Sequence, residues 1–320
     1  MTDSSLSRRG FITRVAATAL AGSAGFNAAR AADEPAAVPF SSGSAGPRFA
    51  VPPLSCDSHM HIYDSRFPAA PTAKLRPADA PVSAYRQLQS RLGTTRNVVV
   101  TPSTYGTNNA CLLDALSQLG ANARGVAVVD TSVSEAELQR LATAGVRGIR
   151  FNLAIGSVTP KDMIEPLARR IAALGWHVQV NMNPEELAAA EPMLQRLPVP
   201  IVFDHIGHLP QPQGTEHPGF GVISRLLAQR RAWVKLSGAY LGSHSGALAY
   251  ADNGAVARAF IRLAPDRLVW GSDWPHPTEK DKPDDAGLLD LLRDWAPDVA
   301  TWRQILVANP ASLYGFPNGL

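Results

Sequence analysis

The stretch Val146-Arg-Gly-Ile-Arg-Phe151 precedes a helical segment and a second β-rich run, Trp176-His-Val-Gln-Val-Asn181. Both runs are mostly apolar, which is typical of parallel strands that are covered by helices. Between them, Thr159-Pro160 puts a capping residue before a proline at the first helical position. Gly175 follows the helical segment, where a left-handed residue commonly ends a helix. This part of the sequence therefore predicts one strand–helix–strand unit.

The same alternation continues on both sides of this unit. Eight β-rich runs alternate with helical segments, at residues 54–59, 96–101, 124–129, 146–151, 176–181, 200–205, 233–237 and 268–272. Ser134-x-x-Glu137 supplies a capping box for one of the helices. Eight repeats over about 267 residues predict an α/β fold of the (β/α)8 TIM-barrel type, whose usual length is roughly 250 residues. A doubly wound open sheet is the alternative, but its Gly-x-Gly-x-x-Gly fingerprint does not follow the first strand.

The composition is typical of a globular protein. Of the 320 residues, 45% are hydrophobic and 18% are charged, and the net charge is +3. Four of the 30 basic and one of the 27 acidic side chains lie in residues 1–31, so the remainder carries 26 of each. Because that remainder has no basic surplus, binding to nucleic acid or to a membrane surface lacks electrostatic support. The two cysteines, Cys56 and Cys111, are too few for a disulfide framework or a cysteine-based zinc site, and we expect both to be buried.

The N-terminus has the three parts of an export signal in the expected order. Ser7-Arg-Arg-Gly-Phe-Ile12 is similar to a twin-arginine motif, residues 15–29 are apolar and small, and Ala29-Arg-Ala31 fits a cleavage site. The apolar run is too short to serve as a stable membrane anchor. We therefore expect export by the twin-arginine machinery, a periplasmic location, and no membrane attachment after cleavage.

These features divide the chain into three parts. Residues 1–31 are the expected twin-arginine signal peptide. Residues 32–53 are rich in Pro, Ala, Ser and Gly, and this composition predicts a flexible linker. Residues 54–320 are the expected barrel domain.

Chemically active side chains follow three of the predicted strands. In a (β/α)8 barrel, active-site residues come from the carboxyl ends of the strands. Strand one ends in Asp57-Ser-His-Met-His61, and strand alternation puts His59 and His61 on one face. Strand six ends at His205, and Asp273 follows strand eight. Three imidazoles and one carboxylate are therefore expected to converge at one mouth of the barrel.

Arg150 lies near the same mouth, on the fourth strand. Alternation with Ile149 and Phe151 turns Gly148 and Arg150 toward the barrel interior. A guanidinium there is suited to bidentate binding of a substrate carboxylate. An ion pair with a barrel aspartate is the alternative.

Four motifs together resemble the amidohydrolase superfamily (amidohydrolase-related family 2). They are Cys56-Asp-Ser-His-Met-His61, Phe203-Asp-His-Ile-Gly-His208, Lys235-Leu-Ser-Gly238 and Trp270-Gly-Ser-Asp-Trp-Pro-His276. The resemblance covers residues 54–316. It is similar to the branch that holds 2-pyrone-4,6-dicarboxylate lactonase, 4-sulfomuconolactone hydrolase and galactarolactone isomerase.

The resemblance implies a hydrolase that opens a lactone. In it, His59, His61 and His205 would polarise the lactone carbonyl. Asp273 would take a proton from the attacking water and return it to the leaving oxygen. Arg150 would bind a substrate carboxylate. Further polar residues follow strand ends and are candidates for orienting the substrate, with plain loop structure as the alternative: Ser103, Tyr105, Asn152, Asn181 and Tyr240.

The sequence departs from the metal-dependent members of the superfamily at strand five. Those members also use a histidine at the end of this strand, whereas Asn181 stands here. His177 shares its parity but lies four residues earlier, roughly 13 Å lower at about 3.3 Å per residue, and is expected to be structural. His59, His61, His205 and Asp273 would still suffice to bind one Zn²⁺. Catalysis without a required cofactor is the favoured expectation, and one zinc or other divalent metal is the alternative.

A second departure lies in the loop after strand four. Pyrone lactonases carry another arginine there for their second carboxylate, and Gly156 falls near that place. A muconolactone-like or sugar-acid lactone with fewer anionic groups is therefore the expected substrate. The alternatives are a metal-dependent decarboxylase, a lactone isomerase and a non-catalytic periplasmic solute binder.

Overall fold

The computed structural model describes residues 37–154, 156, 158–246, 249–296 and 298–317. The expected signal peptide, residues 1–31, lies outside these residues. Within them, eight strands form one sheet, and each of the first seven pairs in parallel with the next one along the chain. The strands are β1 (Cys56–Met60), β2 (Arg96–Val100), β3 (Ala123–Ala127), β4 (Val146–Asn152), β5 (His177–Asn181), β6 (Ile201–Phe203), β7 (Ala232–Leu236) and β8 (Leu268–Trp270).

The sheet curls until β8 lies against β1. Beyond β8, the backbone N–H of Asp273 donates to the carbonyl of His59 at 2.8 Å. The carboxylate of Asp57 also accepts from the backbone N–H and the hydroxyl of Ser272, at 2.9 and 2.6 Å. These contacts tie the two ends of the sheet together, so the predicted (β/α)8 barrel is confirmed and the open sheet is wrong.

Helices follow the strands and cover the outside of the barrel. Among the described residues they are α1 (Val82–Leu92), α2 (Ala110–Leu119), α3 (Glu135–Thr143), α4 (Ile164–Ile171), α5 (Leu187–Arg196), α6 (Pro218–Ala228), α7 (Ala251–Leu263), α8 (Asp285–Trp295), α9 (Val299–Arg303) and α10 (Asn309–Tyr314). No helix in this part of the chain is both long and apolar enough to cross a membrane. Apolar side chains between strands and helices, such as Phe151, Leu88 and Phe260, form the buried core.

Local sequence features account for several helix ends. The Ser134 hydroxyl accepts from the backbone N–H of Glu137 at 3.1 Å and caps α3. The Glu137 carboxylate pairs with Arg140 at 2.7 Å instead of completing the predicted capping box. Gly175, at φ +67°, ends the segment after α4 in the left-handed region that favours glycine. Pro160 lies one position before the first helical turn rather than within it.

The lower interior of the barrel is filled by His177 and Tyr314. Their rings lie 5.5 Å apart, and His177 is buried. A Cβ atom at Gly148 would come within 2.4 Å of His177 Nε2, so only glycine fits beside the ring. His177 therefore packs inside the barrel, as expected. Cys56 in β1 and Cys111 in α2 are buried and unpaired.

The flexible linker that we expected over residues 32–53 is wrong for residues 37–53. Phe40 packs edge-on against Trp274 at 5.7 Å, and Trp274 Nε1 donates to the carbonyl of Pro39 at 2.8 Å. Arg48 pairs with Asp290 on α8 at 2.8 Å. The small and proline-rich composition concealed these few anchoring side chains, which fix the segment against the barrel domain.

Candidate active site

The structure brings His59, His61, His205 and Asp273 together at the carboxyl ends of the strands. His59 Nε2 and His61 Nε2 lie 3.3 Å apart. Oδ1 of Asp273 lies 3.5 Å from each of these nitrogens and 4.0 Å from His205 Nε2. All four side chains are buried. Three ring nitrogens thus face one carboxylate oxygen.

The backbone turns sharply where two of these residues leave their strands. His205 and Asp273 adopt positive φ angles of 50° and 66°, a region that residues other than glycine seldom adopt. Such strain persists where surrounding contacts hold it, and it concentrates at functional sites. Here it lets the chain turn immediately after a short strand and direct a polar side chain into the mouth of the barrel.

The Nδ1 atom of each histidine has a partner behind the cluster. His61 Nδ1–H donates to the carbonyl of Val100 at 2.8 Å, since a carbonyl can only accept. His205 Nδ1 lies 3.1 Å from the hydroxyl of Ser237. His59 Nδ1 lies 3.3 Å from Asp204 Oδ1 and 3.3 Å from Lys235 Nζ. These partners orient the rings so that the Nε2 atoms point at Asp273.

The charge of this arrangement is concentrated on Asp273. His61 donates its Nδ1–H to Val100, whereas His59 Nδ1 can accept from Lys235 and His205 Nδ1 from Ser237, which frees the Nε2–H of these two rings to donate toward the cluster. Although burial opposes its ionisation, attraction by His205 and the hydrogen bond from His61 hold the pKa of Asp273 well below its usual range. Burial and the neighbouring Lys235 lower the pKa of His59. The cluster is therefore built around an ionised Asp273 that faces three imidazole nitrogens.

The cluster opens into a cavity of about 260 Å³. His61, His205 and Asp273 reach its surface, whereas His59 lies completely buried beneath them. Three of the substrate-orienting candidates also line it, namely Ser103, Asn152 and Asn181, and so does Arg150. Tyr63, His208, Thr278 and Glu279, which the sequence did not single out, complete the polar part of the wall.

The amidohydrolase family model matches residues 56–316. The chain belongs to the amidohydrolase family. It is 37% identical over 281 residues to 2-pyrone-4,6-dicarboxylate hydrolase of Comamonas testosteroni, with 84% of this chain and 92% of the relative covered. It is 35% identical over 275 residues to 4-sulfomuconolactone hydrolase of Rhizobium radiobacter, with 83% and 92% covered.

A crystal structure from Acinetobacter baumannii is also similar to this amidohydrolase. That protein is described as a probable 2-pyrone-4,6-dicarboxylic acid hydrolase with citric acid bound. The TM-score is 0.74 at 26% identity, and the match covers 82% of this chain and 100% of the other. The similarity thus extends over the whole barrel.

A buried charge network lies directly below the histidines of the amidohydrolase. Asp204 Oδ2 accepts from Arg150 Nε at 3.1 Å, and Asp204 Oδ1 lies 3.9 Å from Lys235 Nζ. Lys235 also donates to Gln179 Oε1 at 2.8 Å. Burial lowers the pKa of Lys235 to about 8. Although burial opposes its ionisation, His59, Arg150 and Lys235 hold the pKa of Asp204 well below its usual range. The structure therefore shows the ion pair of Arg150 with a barrel aspartate, and it also places Arg150 on the wall of the cavity.

The sequence alone did not point to roles for Asp204, Lys235 or Gln179. The feature that could have indicated their role is that they are polar residues at inward positions of otherwise apolar strands. Gln179 shares the parity of Asn181 on β5, and Lys235 shares that of Ser237 after β7. Alternation predicts their side of the sheet, but it does not show which strands contribute to one network.

Two tyrosines differ from the expectation that they line the substrate cavity. The Tyr105 hydroxyl accepts from the backbone N–H of Asp64 at 2.8 Å, and this tyrosine lines a separate cavity beside Phe67. The Tyr240 hydroxyl donates to Asp273 Oδ2 at 2.7 Å and lies 2.9 Å from His276 Nδ1. Tyr105 therefore holds a loop, and Tyr240 orients the carboxylate of Asp273.

We expect Asp204→Asn to destabilise the protein by about 3–5 kcal/mol, because it leaves Arg150 and Lys235 buried without a counter-charge. Urea unfolding at pH 7 measures this cost. The control Glu137→Gln removes an exposed ion pair with Arg140 and should cost about 0–1 kcal/mol. Equal, small losses in the two variants would show that Asp204 does not hold the network together.

Proposed function

We propose that this amidohydrolase hydrolyses a carboxylated lactone of the muconolactone-like or sugar-acid type. The observation that carries the proposal is the convergence of three imidazole Nε2 atoms on Asp273 Oδ1 beside a cavity that Arg150 lines. The two relatives named above are hydrolases of a pyrone dicarboxylate and of a sulfomuconolactone, and their names support a lactone substrate.

The chemistry that suits this geometry is addition of water to a lactone carbonyl. His61 and His205 reach the cavity, and a donor there would stabilise the negative charge that develops on the carbonyl oxygen. Asp273 is the general base: its carboxylate takes a proton as the oxygen of water bonds to the carbonyl carbon. When the ring C–O bond breaks, the same proton passes to the leaving oxygen. Tyr240 holds Asp273 in place throughout.

Arg150 is proposed to bind the carboxylate of the substrate. Its Nε is engaged by Asp204, which fixes the direction of the guanidinium toward the cavity. Asn152 and Asn181 form a hydrogen-bonded pair at 2.8 Å on the same wall, and with Ser103 they offer polar atoms for orienting the ring. Arg150 together with these polar atoms favours one orientation of a carboxylated lactone over the reversed one.

The donor set also fits one divalent metal ion. His59, His61 and Asp273 bring their ligand atoms within 4.8 Å of one another. Zinc–nitrogen distances of about 2.0–2.1 Å put neighbouring tetrahedral ligands near 3.4 Å apart, close to the 3.3 and 3.5 Å separations here. A metal held there would act as a Lewis acid toward the carbonyl. We nevertheless propose catalysis without a bound metal, because Lys235 and Arg150 already place two cations beside the cluster and Asn181 replaces an imidazole on β5.

The activity of metal-free protein tests whether catalysis needs a bound metal ion. We expect purified protein treated with a chelator and found metal-free by mass spectrometry to retain its full rate of lactone opening. A loss of activity that stoichiometric Zn²⁺ restores would overturn metal-independent catalysis, and it would favour the metal-dependent alternative, including decarboxylation.

We expect Asp273→Asn to fold normally and to lose at least about 10³-fold in the rate of lactone hydrolysis, because the amide cannot accept the proton from water. Hydrolysis is followed by titration of the released acid. The control Glu279→Gln also replaces a carboxylate of the cavity by the matching amide, and it should keep most of the activity. Retained hydrolysis in Asp273→Asn, or equal losses in both variants, contradicts the assignment of Asp273 as the base. A non-catalytic solute binder would bind its ligand equally well in both variants and would not hydrolyse it.

We further propose that the protein is exported to the periplasm by the twin-arginine machinery. Arg8, Arg9 and the Ala29-Arg-Ala31 pattern support this, although they lie outside the described residues. N-terminal sequencing of protein from the periplasmic fraction should begin after Ala31. Uncleaved protein that stays in the cytoplasm would contradict export.

A further inference from the structure

The motif Trp270-Gly-Ser-Asp-Trp-Pro-His276 ends in a histidine to which the proposed reaction gives no role. His276 is completely buried, and it is not one of the described residues that line the cavity at the histidine cluster. It adopts a positive φ of 54°, and its backbone N–H donates to the carbonyl of Asp273 at 2.9 Å. The chain therefore turns back on itself after Asp273 and brings a further imidazole close to the general base.

A chain of hydrogen bonds connects this imidazole to Asp273. The Tyr240 hydroxyl lies 2.7 Å from Asp273 Oδ2 and 2.9 Å from His276 Nδ1. On the other side of the ring, His276 Nε2 lies 3.1 and 3.2 Å from the two carboxylate oxygens of Asp285. Two carboxylates are therefore joined through one hydroxyl and one imidazole.

Asp285 is suited to hold the imidazole in place. It is the first residue of α8 and is completely buried. A carboxylate at the start of a helix is stabilised by the partial positive charge of the free N–H groups there. The backbone N–H of Asp285 also donates to Ser41 Oγ at 3.2 Å, in the N-terminal segment that packs against the barrel. Because a carboxylate only accepts, Nε2 of His276 carries the hydrogen in its contact with Asp285.

The Tyr240 hydroxyl has one hydrogen and two polar neighbours. If that hydrogen went to His276 Nδ1, Asp273 Oδ2 would face the lone pairs of the tyrosine oxygen at 2.7 Å. If Nδ1–H donates to the tyrosine oxygen instead, the hydrogen of Tyr240 is committed to Asp273 and both contacts are made. In this second arrangement Asp285 supplies the negative charge that a ring with two N–H groups needs.

We propose that His276, held by Asp285, is a positioning residue for the general base. Its Nδ1–H donates to Tyr240 and directs the tyrosine hydroxyl at Asp273 Oδ2. This contact fixes the plane of the carboxylate, and with it the position of Oδ1 opposite the ring nitrogens of the histidine cluster. The inference rests on the proposed lactone hydrolysis, because it concerns the base of that reaction.

The rate of lactone opening tests this role. We expect His276→Phe to lower kcat about tenfold or more, because the base is no longer held in one orientation. KM should stay within about twofold of wild type, because His276 does not line the cavity. His276→Asn keeps an N–H donor near the position of Nδ1 and should recover most of kcat. The control His244→Phe makes the same change at an exposed histidine and should alter neither constant. A rise in KM with unchanged kcat, or equal losses of kcat in the two His276 variants, contradicts the proposal.

A double-mutant cycle separates positioning of the base from general damage to the fold. Tyr240→Phe removes the hydroxyl that transmits the effect, so adding His276→Phe to it should lower kcat by no more than about a further twofold. Asp285→Asn keeps the imidazole in place and should lower kcat about threefold or more when Tyr240 is present. Added to Tyr240→Phe, it should lower kcat by less than about twofold. Losses that multiply in the double variants overturn the proposal.

Crystal structures of wild type, His276→Phe and Asp285→Asn test the same contact without turnover. In each variant that folds, the Tyr240 hydroxyl should move away from Asp273 Oδ2, or the carboxylate should take more than one orientation. A contact of Tyr240 with Asp273 that is unchanged in the variants contradicts the role of His276. If wild type opens no lactone, the proposed hydrolysis fails, and these structures still decide whether His276 positions Asp273.

Discussion

The carboxylate of Asp204 joins three strands at the floor of the site. It pairs with Arg150 on β4, lies against His59 on β1, and faces Lys235 on β7. All of these side chains are buried, so each charge depends on the others for its compensation. Because Asp204 directs both an imidazole and a guanidinium, the spacing between the histidine cluster and the carboxylate-binding wall depends on this one residue.

Above Asp204, the distances and charges within the histidine cluster determine which chemistry the site can perform. Ring nitrogens of His59 and His61 and one carboxylate oxygen of Asp273 approach within 3.5 Å of one another. Nε2–H groups of this cluster, or a metal ion held by it, would stabilise the negative charge that a carbonyl oxygen develops in the cavity. The carboxylate of Asp273, held by Tyr240, lies beside the same position and can accept a proton from water. Arg150 lies on the wall of the same cavity, where the proposed function gives it the carboxylate of the lactone.

Much of this could be predicted from the sequence because barrels obey strong rules. Apolar runs alternating with capped helices predicted all eight strands, and the rule of strand ends brought His59, His61, His205 and Asp273 to one mouth. The charge network across strands was harder to predict. Asp204, Gln179 and Lys235 are far apart along the chain, and only the register of the barrel brings them together. For Tyr105 the structure favours the alternative of plain loop structure, which the sequence left open because a loop's position after a strand does not give the direction of its side chain. The segment of residues 37–53 was misjudged because Phe40 and Arg48 are few among prolines and small residues.

Isotope labelling during turnover tests the central claim, that water activated by Asp273 adds to a lactone carbonyl. A carboxylated lactone is opened by wild-type protein in ¹⁸O-enriched water, and the product is fragmented in a mass spectrometer. One ¹⁸O atom in the newly formed carboxylate, with none in the released hydroxyl, is the expected result. Rearrangement without incorporation, as in an isomerase, or incorporation at the hydroxyl would contradict it.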